Sequence, residues 1–196
     1  MKILCFGDSN TFGYDPRSYF GSQYPAHHRW VDLLAAKLDC EAVNAGEKGR
    51  AIPGNKRLRE DFRRILAKAE PIDLLVIMLG TNDLLQDTSP EATAKRMEIF
   101  LNHIPLEKSQ ILLIGPPPMK MGEWVPYQAL VEASEDLCHR YNALAQKYGV
   151  DYAEARDWNV TLTFDGVHFT EEGHRAFAEG LQTIYEKENN LCWKSI

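Results

Sequence analysis

Four short segments carry the side chains that could do chemistry together. Gly7-Asp8-Ser9-Asn10 sets a hydroxyl in a turn, but a serine is a weak nucleophile until a base takes its proton. Asp165-Gly166-Val167-His168 can supply that base. Residues three apart in a turn or helical arc can touch, so Asp165 can accept a hydrogen bond from the His168 ring, fix its tautomer and stabilise the imidazolium. The other ring nitrogen is then left to face the hydroxyl. Gly80-Thr81-Asn82-Asp83 offers a neutral carboxamide, Asn82, whose fixed donors suit a developing oxyanion. Asn44-Ala45-Gly46-Glu47-Lys48-Gly49-Arg50 offers Gly49, a residue that lets backbone approach a substrate and present its N–H.

Each segment also has an ordinary reading. Gly-Asp-Ser is a common turn, an Asn often holds a loop, and both Gly46 and Gly49 fit plain turn chemistry. Asp157 is a rival partner for His168, though farther away along the chain. What favours chemistry is the joint placement of the four segments, which depends on the elements around them.

Those elements alternate. Apolar runs at residues 3–6, 41–44, 72–79, 111–114 and 150–153 read as strands, and the run at 72–79 is continuous enough for a strand buried on both faces. Between them lie helical patterns at residues 30–38, 53–69, 127–148 and 170–188, with another from about Ser89 to His103. Ser89-Pro90-Glu91 is a good helix start, with a capping hydroxyl, a proline in the first position and an acid in the first turn. Strand–helix alternation predicts a three-layer α/β/α sandwich on a parallel sheet, because parallel neighbours need crossover connections. In such sheets ligands bind at the carboxyl ends of the strands. Ser9, Gly49 and Asn82 each follow a strand, and Asp165 and His168 lie in the loop before the last helix.

The chain has 196 residues, which suits one domain over 1–196 with a sizeable core. A net charge of −6 disfavours nucleic acid as a partner. The four cysteines, Cys5, Cys40, Cys138 and Cys192, show neither CxxC pairing nor zinc spacing, and Cys5 sits in an apolar run as a small core residue. The N-terminal apolar run is too short for a signal-peptide core or a membrane span, so a cytoplasmic protein is expected.

At this point the motifs resemble a known family, the SGNH hydrolases, also called GDSL esterases and lipases. Ser9 matches within Gly-Asp-Ser-Asn, Gly49 within Asn-Ala-Gly-Glu-Lys-Gly-Arg, Asn82 within Gly-Thr-Asn-Asp and His168 within Asp-Gly-Val-His-Phe-Thr. The choice of Gly49 over Gly46 rests on its place five residues after Asn44. Cys-Phe-Gly-Asp-Ser, Ile-Met-Leu-Gly-Thr-Asn-Asp and Gly-Pro-Pro-Pro look like the bacterial arylesterase and acyltransferase branch. The resemblance implies a flavodoxin-like sheet of order 2-1-3-4-5. It also implies a Ser9-His168-Asp165 triad, an oxyanion hole from Ser9, Gly49 and Asn82, and no metal or other cofactor. The expected substrate is a small ester with a short acyl or an aryl group, with acyl transfer to alcohols as a further outcome. Self-association into a homo-oligomer is compatible with the branch. The chain departs at Asn10, where the family more often has Leu, so substrate preference is the property put in question.

Around this set, Asp8, Asn10 and Arg50 are expected substrate contacts, although Arg50 is also a typical structural pairing residue. The aromatic stretch 14–30, with Tyr14, Tyr19 and Phe20, could wall a pocket or pack on the protein itself. Trp124, after the fourth strand, could form the opposite wall. The His27-His28 pair reads as loop histidines, and His174 is given no role. The same triad could instead serve a thioester, a lysophospholipid or an acetylated sugar. The reading from a different class is a non-catalytic α/β module that binds a small ligand at the loop edge.

Overall fold

A computed structural model describes residues 1–18 and 20–192, with side chains described to residue 186. Tyr19 and the side chain of Cys192 therefore lie outside the described residues. Five strands form the sheet: β1 (Lys2–Gly7), β2 (Glu41–Gly46), β3 (Leu74–Met78), β4 (Ile111–Gly115) and β5 (Asp151–Glu154). All pair in parallel, in the order β2-β1-β3-β4-β5, the doubly wound order expected.

The helices are α1 (Ser9–Phe12), α2 (Trp30–Leu38), α3 (Lys56–Ala69), α4 (Thr81–Leu85), α5 (Pro90–Leu101), α6 (Gln128–Tyr148) and α7 (Glu171–Cys192). Side chains alternate across the sheet, as the twofold period of a strand requires. Leu4 and Phe6 of β1, with Leu75 and Ile77 of β3, join Phe62 and Leu66 of α3, Phe100 of α5 and Tyr141 of α6 in one buried layer. Ile3, Cys5, Val76 and Met78 point the other way. They meet Trp30, Val31 and Leu34 of α2 and Phe177 and Leu181 of α7. Each such side chain, taken from water, contributes roughly 1.5–3 kcal/mol before conformational entropy is subtracted. The two layers hold the strand ends, and hence the loops beyond them, in fixed register.

The expected elements appear with small boundary shifts that local capping explains. The helix read from residue 53 starts at Lys56, because Asn55 accepts a hydrogen bond from the Leu58 N–H at 3.0 Å and so caps it. Ser89 caps α5 in the same way, accepting from the Ala92 N–H. Two short helices, α1 and α4, were not expected. Each follows a strand with one or two residues between, and they carry Ser9 and Asn82 in their first turns. Cys5 and Cys138 are free and buried, and Cys40 is free and partly buried. Among the described residues, no helix is long and apolar enough to cross a membrane.

Candidate active site

The chemistry-bearing side chains meet at the carboxyl edge of the sheet. Ser9 follows β1 with one residue between, Asp8, whose carboxylate caps α1 by accepting the Asn10 N–H at 2.9 Å. Ser9 Oγ lies 3.0 Å from His168 Nε2, across 159 residues of sequence. His168 Nδ1 lies 2.7 Å from Asp165 Oδ2. The other carboxylate oxygen of Asp165 accepts the Val167 and His168 N–H groups, both at 2.9 Å. This local loop of hydrogen bonds fixes the carboxylate before it meets the ring. Nδ1 is thus set as the donor toward Asp165 and Nε2 as the acceptor facing the hydroxyl. Asp157, the rival acid, is exposed in a 3-10 turn at Ala155–Trp158. Ser9 and His168 are both buried, with relative exposures of 7% and 2%.

The oxyanion candidates come from two loops joined to each other. The Asn82 carboxamide donates to the Arg50 carbonyl at 3.1 Å, one residue after Gly49. That bond uses one of its two N–H donors. Gly49 is exposed with φ +73°, and space is open where a side chain would begin, so the glycine leaves the approach to its N–H unobstructed. Gly46 differs: its N–H is taken by Asn44 Oδ1 at 2.9 Å, and a Cβ there would strike the backbone of Phe12. The geometry therefore favours Gly49 over Gly46 as a donor. Two aromatic rings flank His168 edge-on. Tyr14 and Trp124 have ring centroids 4.7 Å and 4.9 Å from that of His168, and Trp124 remains 48% exposed.

Three expected substrate contacts have other occupations. Asn10 donates to the Val167 carbonyl at 3.1 Å and accepts the Phe169 N–H at 3.0 Å. Arg50 donates to the carbonyls of Gly7 and Ala45, pairs with Glu47 and lies over the Phe6 ring at 4.3 Å, so its guanidinium is a brace for the strand ends. Asp8 is buried and holds its cap. Adjacency in sequence suggested contact with substrate, but these side chains face inward. Three other residues support the site and were not read from the sequence. Asp83 is fully buried, accepts the Ile52 N–H at 3.0 Å and pairs with Arg96 at 2.9 Å, tying the Gly49 loop to α4 and α5. Asn44 donates to the Thr11 carbonyl at 2.8 Å, and Trp30 Nε1 donates to the Asn10 carbonyl at 3.1 Å. An acid just after a buried strand was the one visible signal for Asp83.

The model of the GDSL-like Lipase/Acylhydrolase family matches residues 5–176. The chain belongs to that family. This GDSL-like acylhydrolase is accordingly a carboxylic ester hydrolase. Among solved structures it is similar to the M. smegmatis aryl esterase, at 27% identity and a TM-score of 0.80, over 95% of this chain and 98% of that one. It is also similar to a carbohydrate acetylesterase from Sinorhizobium meliloti, at 28% identity and a TM-score of 0.79, over 97% of this chain and 99% of that one. No curated protein sequence matches it significantly.

The electrostatics of the acylhydrolase site separate its acids. Burial pushes the Asp165 carboxyl up, but its hydrogen bonds from the His168 ring and from two backbone N–H groups together outweigh this and hold it at about 2. It stays ionised beside the ring at any working pH. Burial raises Asp8 instead, to about 6, against the opposing pull of the Asn10 N–H and of His168. Ser9, His168 and Asp165 form a continuous path along which the hydroxyl proton can pass to Nε2 while Asp165 stabilises the resulting imidazolium.

Proposed function

We propose that this acylhydrolase cleaves short acyl or aryl esters by a Ser-His-Asp triad made of Ser9, His168 and Asp165. The observation that carries the reading is the unbroken chain from Ser9 Oγ to His168 Nε2 at 3.0 Å and from His168 Nδ1 to Asp165 Oδ2 at 2.7 Å. Ser9 Oγ attacks the ester carbonyl as its proton moves to His168 Nε2. The carbonyl oxygen becomes an oxyanion held by the Ser9 and Gly49 N–H groups and the Asn82 carboxamide. The imidazolium then returns the proton to the departing alcohol oxygen, the C–O bond breaks and an acyl-Ser9 ester remains. Water, deprotonated by the same imidazole, attacks that ester and releases the acid. An added alcohol in place of water would give a new ester. The half-exposed Trp124 and partly buried Tyr14 beside His168 offer aromatic walls for a small apolar group.

The carbohydrate acetylesterase neighbour supports a second reading, in which the alcohol portion is a sugar and the acyl group is acetyl. A panel of p-nitrophenyl acetate, p-nitrophenyl esters of longer acids and an acetylated sugar, run with and without added alcohol, separates the two. The first reading expects the acetate or aryl ester to lead, with turnover falling as the acyl chain grows, because a tight pocket discriminates by about 10-fold or more per methylene. A lead for the acetylated sugar favours the second. No turnover of any ester, together with no reaction of Ser9 with a fluorophosphonate, would refute both.

A further inference from the structure

The residue after the nucleophile makes an unusual set of contacts. Asn10 is buried, and its carboxamide meets the main chain on both sides of His168. Nδ2 donates to the Val167 carbonyl at 3.1 Å, and Oδ1 accepts the Phe169 N–H at 3.0 Å. Its own carbonyl accepts the Trp30 indole N–H at 3.1 Å, which anchors this turn to α2. A carboxamide carries a donor and an acceptor side by side, and so matches the C=O and N–H that flank His168. A carboxylate would lack the donor, and Leu would lack both groups. The loops that present Ser9 Oγ and His168 Nε2 are otherwise far apart in the chain, and their 3.0 Å separation has to be held by contacts between the loops.

We propose that Asn10 is a positioning residue whose carboxamide clamps the backbone around His168 to the nucleophile turn and so sets the Ser9–His168 distance. The inference rests on the reading of Ser9 as nucleophile and deepens it. Asn10 touches no reacting atom. It acts by holding the general base where the proton must go, and misplacement of a catalytic group by ~1 Å can cost about 10²-fold in rate.

The test compares wild type with Asn10→Leu and Asn10→Asp. Two quantities are read: the first-order rate at which Ser9 is labelled under excess fluorophosphonate, and kcat and KM for p-nitrophenyl acetate. A labelling rate under excess probe does not depend on how much of the sample is folded, so a merely structural role leaves it unmoved. Asn10→Leu is expected to lower both the labelling rate and kcat about 10- to 100-fold, with KM changed less than about threefold. Asn10→Asp keeps the side-chain size and the acceptor for Phe169, but sets an oxygen against the Val167 carbonyl, and should fall between wild type and Asn10→Leu. If Asn10→Leu does not fold, Asn10→Asp alone decides: a labelling rate within about twofold of wild type overturns the clamp. A wild-type chain that resists labelling overturns the serine-hydrolase reading and the inference with it. A labelled wild type with unaltered variants overturns the inference alone.

Discussion

Two buried histidines lie six residues apart on either side of the start of α7, and their surroundings are opposite in kind. His168 has a partner on each ring nitrogen, a carboxylate on Nδ1 and a hydroxyl on Nε2. His174 accepts the Trp30 backbone N–H on Nδ1 at 3.4 Å, its Nε2 meets no partner among the described residues, and the Tyr24 and Phe169 rings stand 5.3 Å away. Burial pushes its pKa down to about 3, aided by Arg29. Burial alone therefore does not make a base. A ring that must carry a positive charge needs an anion fixed at its far nitrogen. A ring set against a backbone donor and aromatic walls is held neutral, because protonation would remove its one acceptor and bury a charge.

The largest effect that tests this contrast is removal of the proton path. Ser9→Ala and His168→Gln should each lower kcat for p-nitrophenyl acetate by roughly 10³-fold or more. His174→Leu in the same assay should stay within about threefold of wild type, since it lies outside the proton path. Equal losses at the two histidines would erase the distinction. Asn82→Ala comes next. It should cost on the order of 10²-fold in kcat through a lost oxyanion donor.

Stability against pH sharpens the contrast with smaller numbers. His174 is neutral when folded down to about pH 3, whereas the unfolded chain protonates it near its ordinary value of 6.5. Its depressed pKa thus contributes stability above pH 6.5 that is lost as pH falls from 6.5 toward 3. Asp8 acts in the opposite sense. Its folded carboxyl takes a proton near pH 6 while the unfolded one waits until about 3.8, so acidification between those values favours the folded state. Asp165, held at about 2, loses its contribution only between about pH 4 and 2. Urea unfolding at pH 7 and pH 5 should show wild type losing more stability on acidification than His174→Leu does. Equal losses would show that His174 titrates normally in the fold. At pH 7, His174→Leu itself should cost about 1–3 kcal/mol, because the Trp30 N–H is left without its acceptor.

The parallel α/β sandwich was legible because buried strands leave apolar runs, and the places of Ser9 and Asn82 at strand ends followed from it, whereas the strand order and the choice of Gly49 and His168 leaned on the family resemblance. The run at 72–79 led directly to Asn82 in this way. The helices α1 and α4 were not legible, being too short for an apolar period to emerge. Asn10 and Arg50 were assigned to substrate because they adjoin site residues, yet spacing along a turn does not say which way a side chain points. Their hydrogen bonds run into the protein, to backbone groups that carry no signature in sequence. Asp83 shows the same limit: its partners, Ile52 and Arg96, are 31 and 13 residues away and only the fold brings them near.

The segment after β4 that carries Trp124 is joined to the Asp165 loop by a ladder of main-chain hydrogen bonds. The Lys120 N–H donates to the Gly166 carbonyl at 3.0 Å, Glu123 to Phe164 at 3.2 Å and Trp124 to Asp165 at 3.0 Å. None of these rungs uses the exposed side chains of Met121 and Glu123, whereas Met119 and Val125 are buried in the core and a Cβ at Gly122 would strike the Asp165 backbone. Exchange at the exposed residues 121 and 123 therefore leaves both the rungs and the surroundings of His168 in place, whereas exchange at 124 also replaces the ring that stands 4.9 Å from His168.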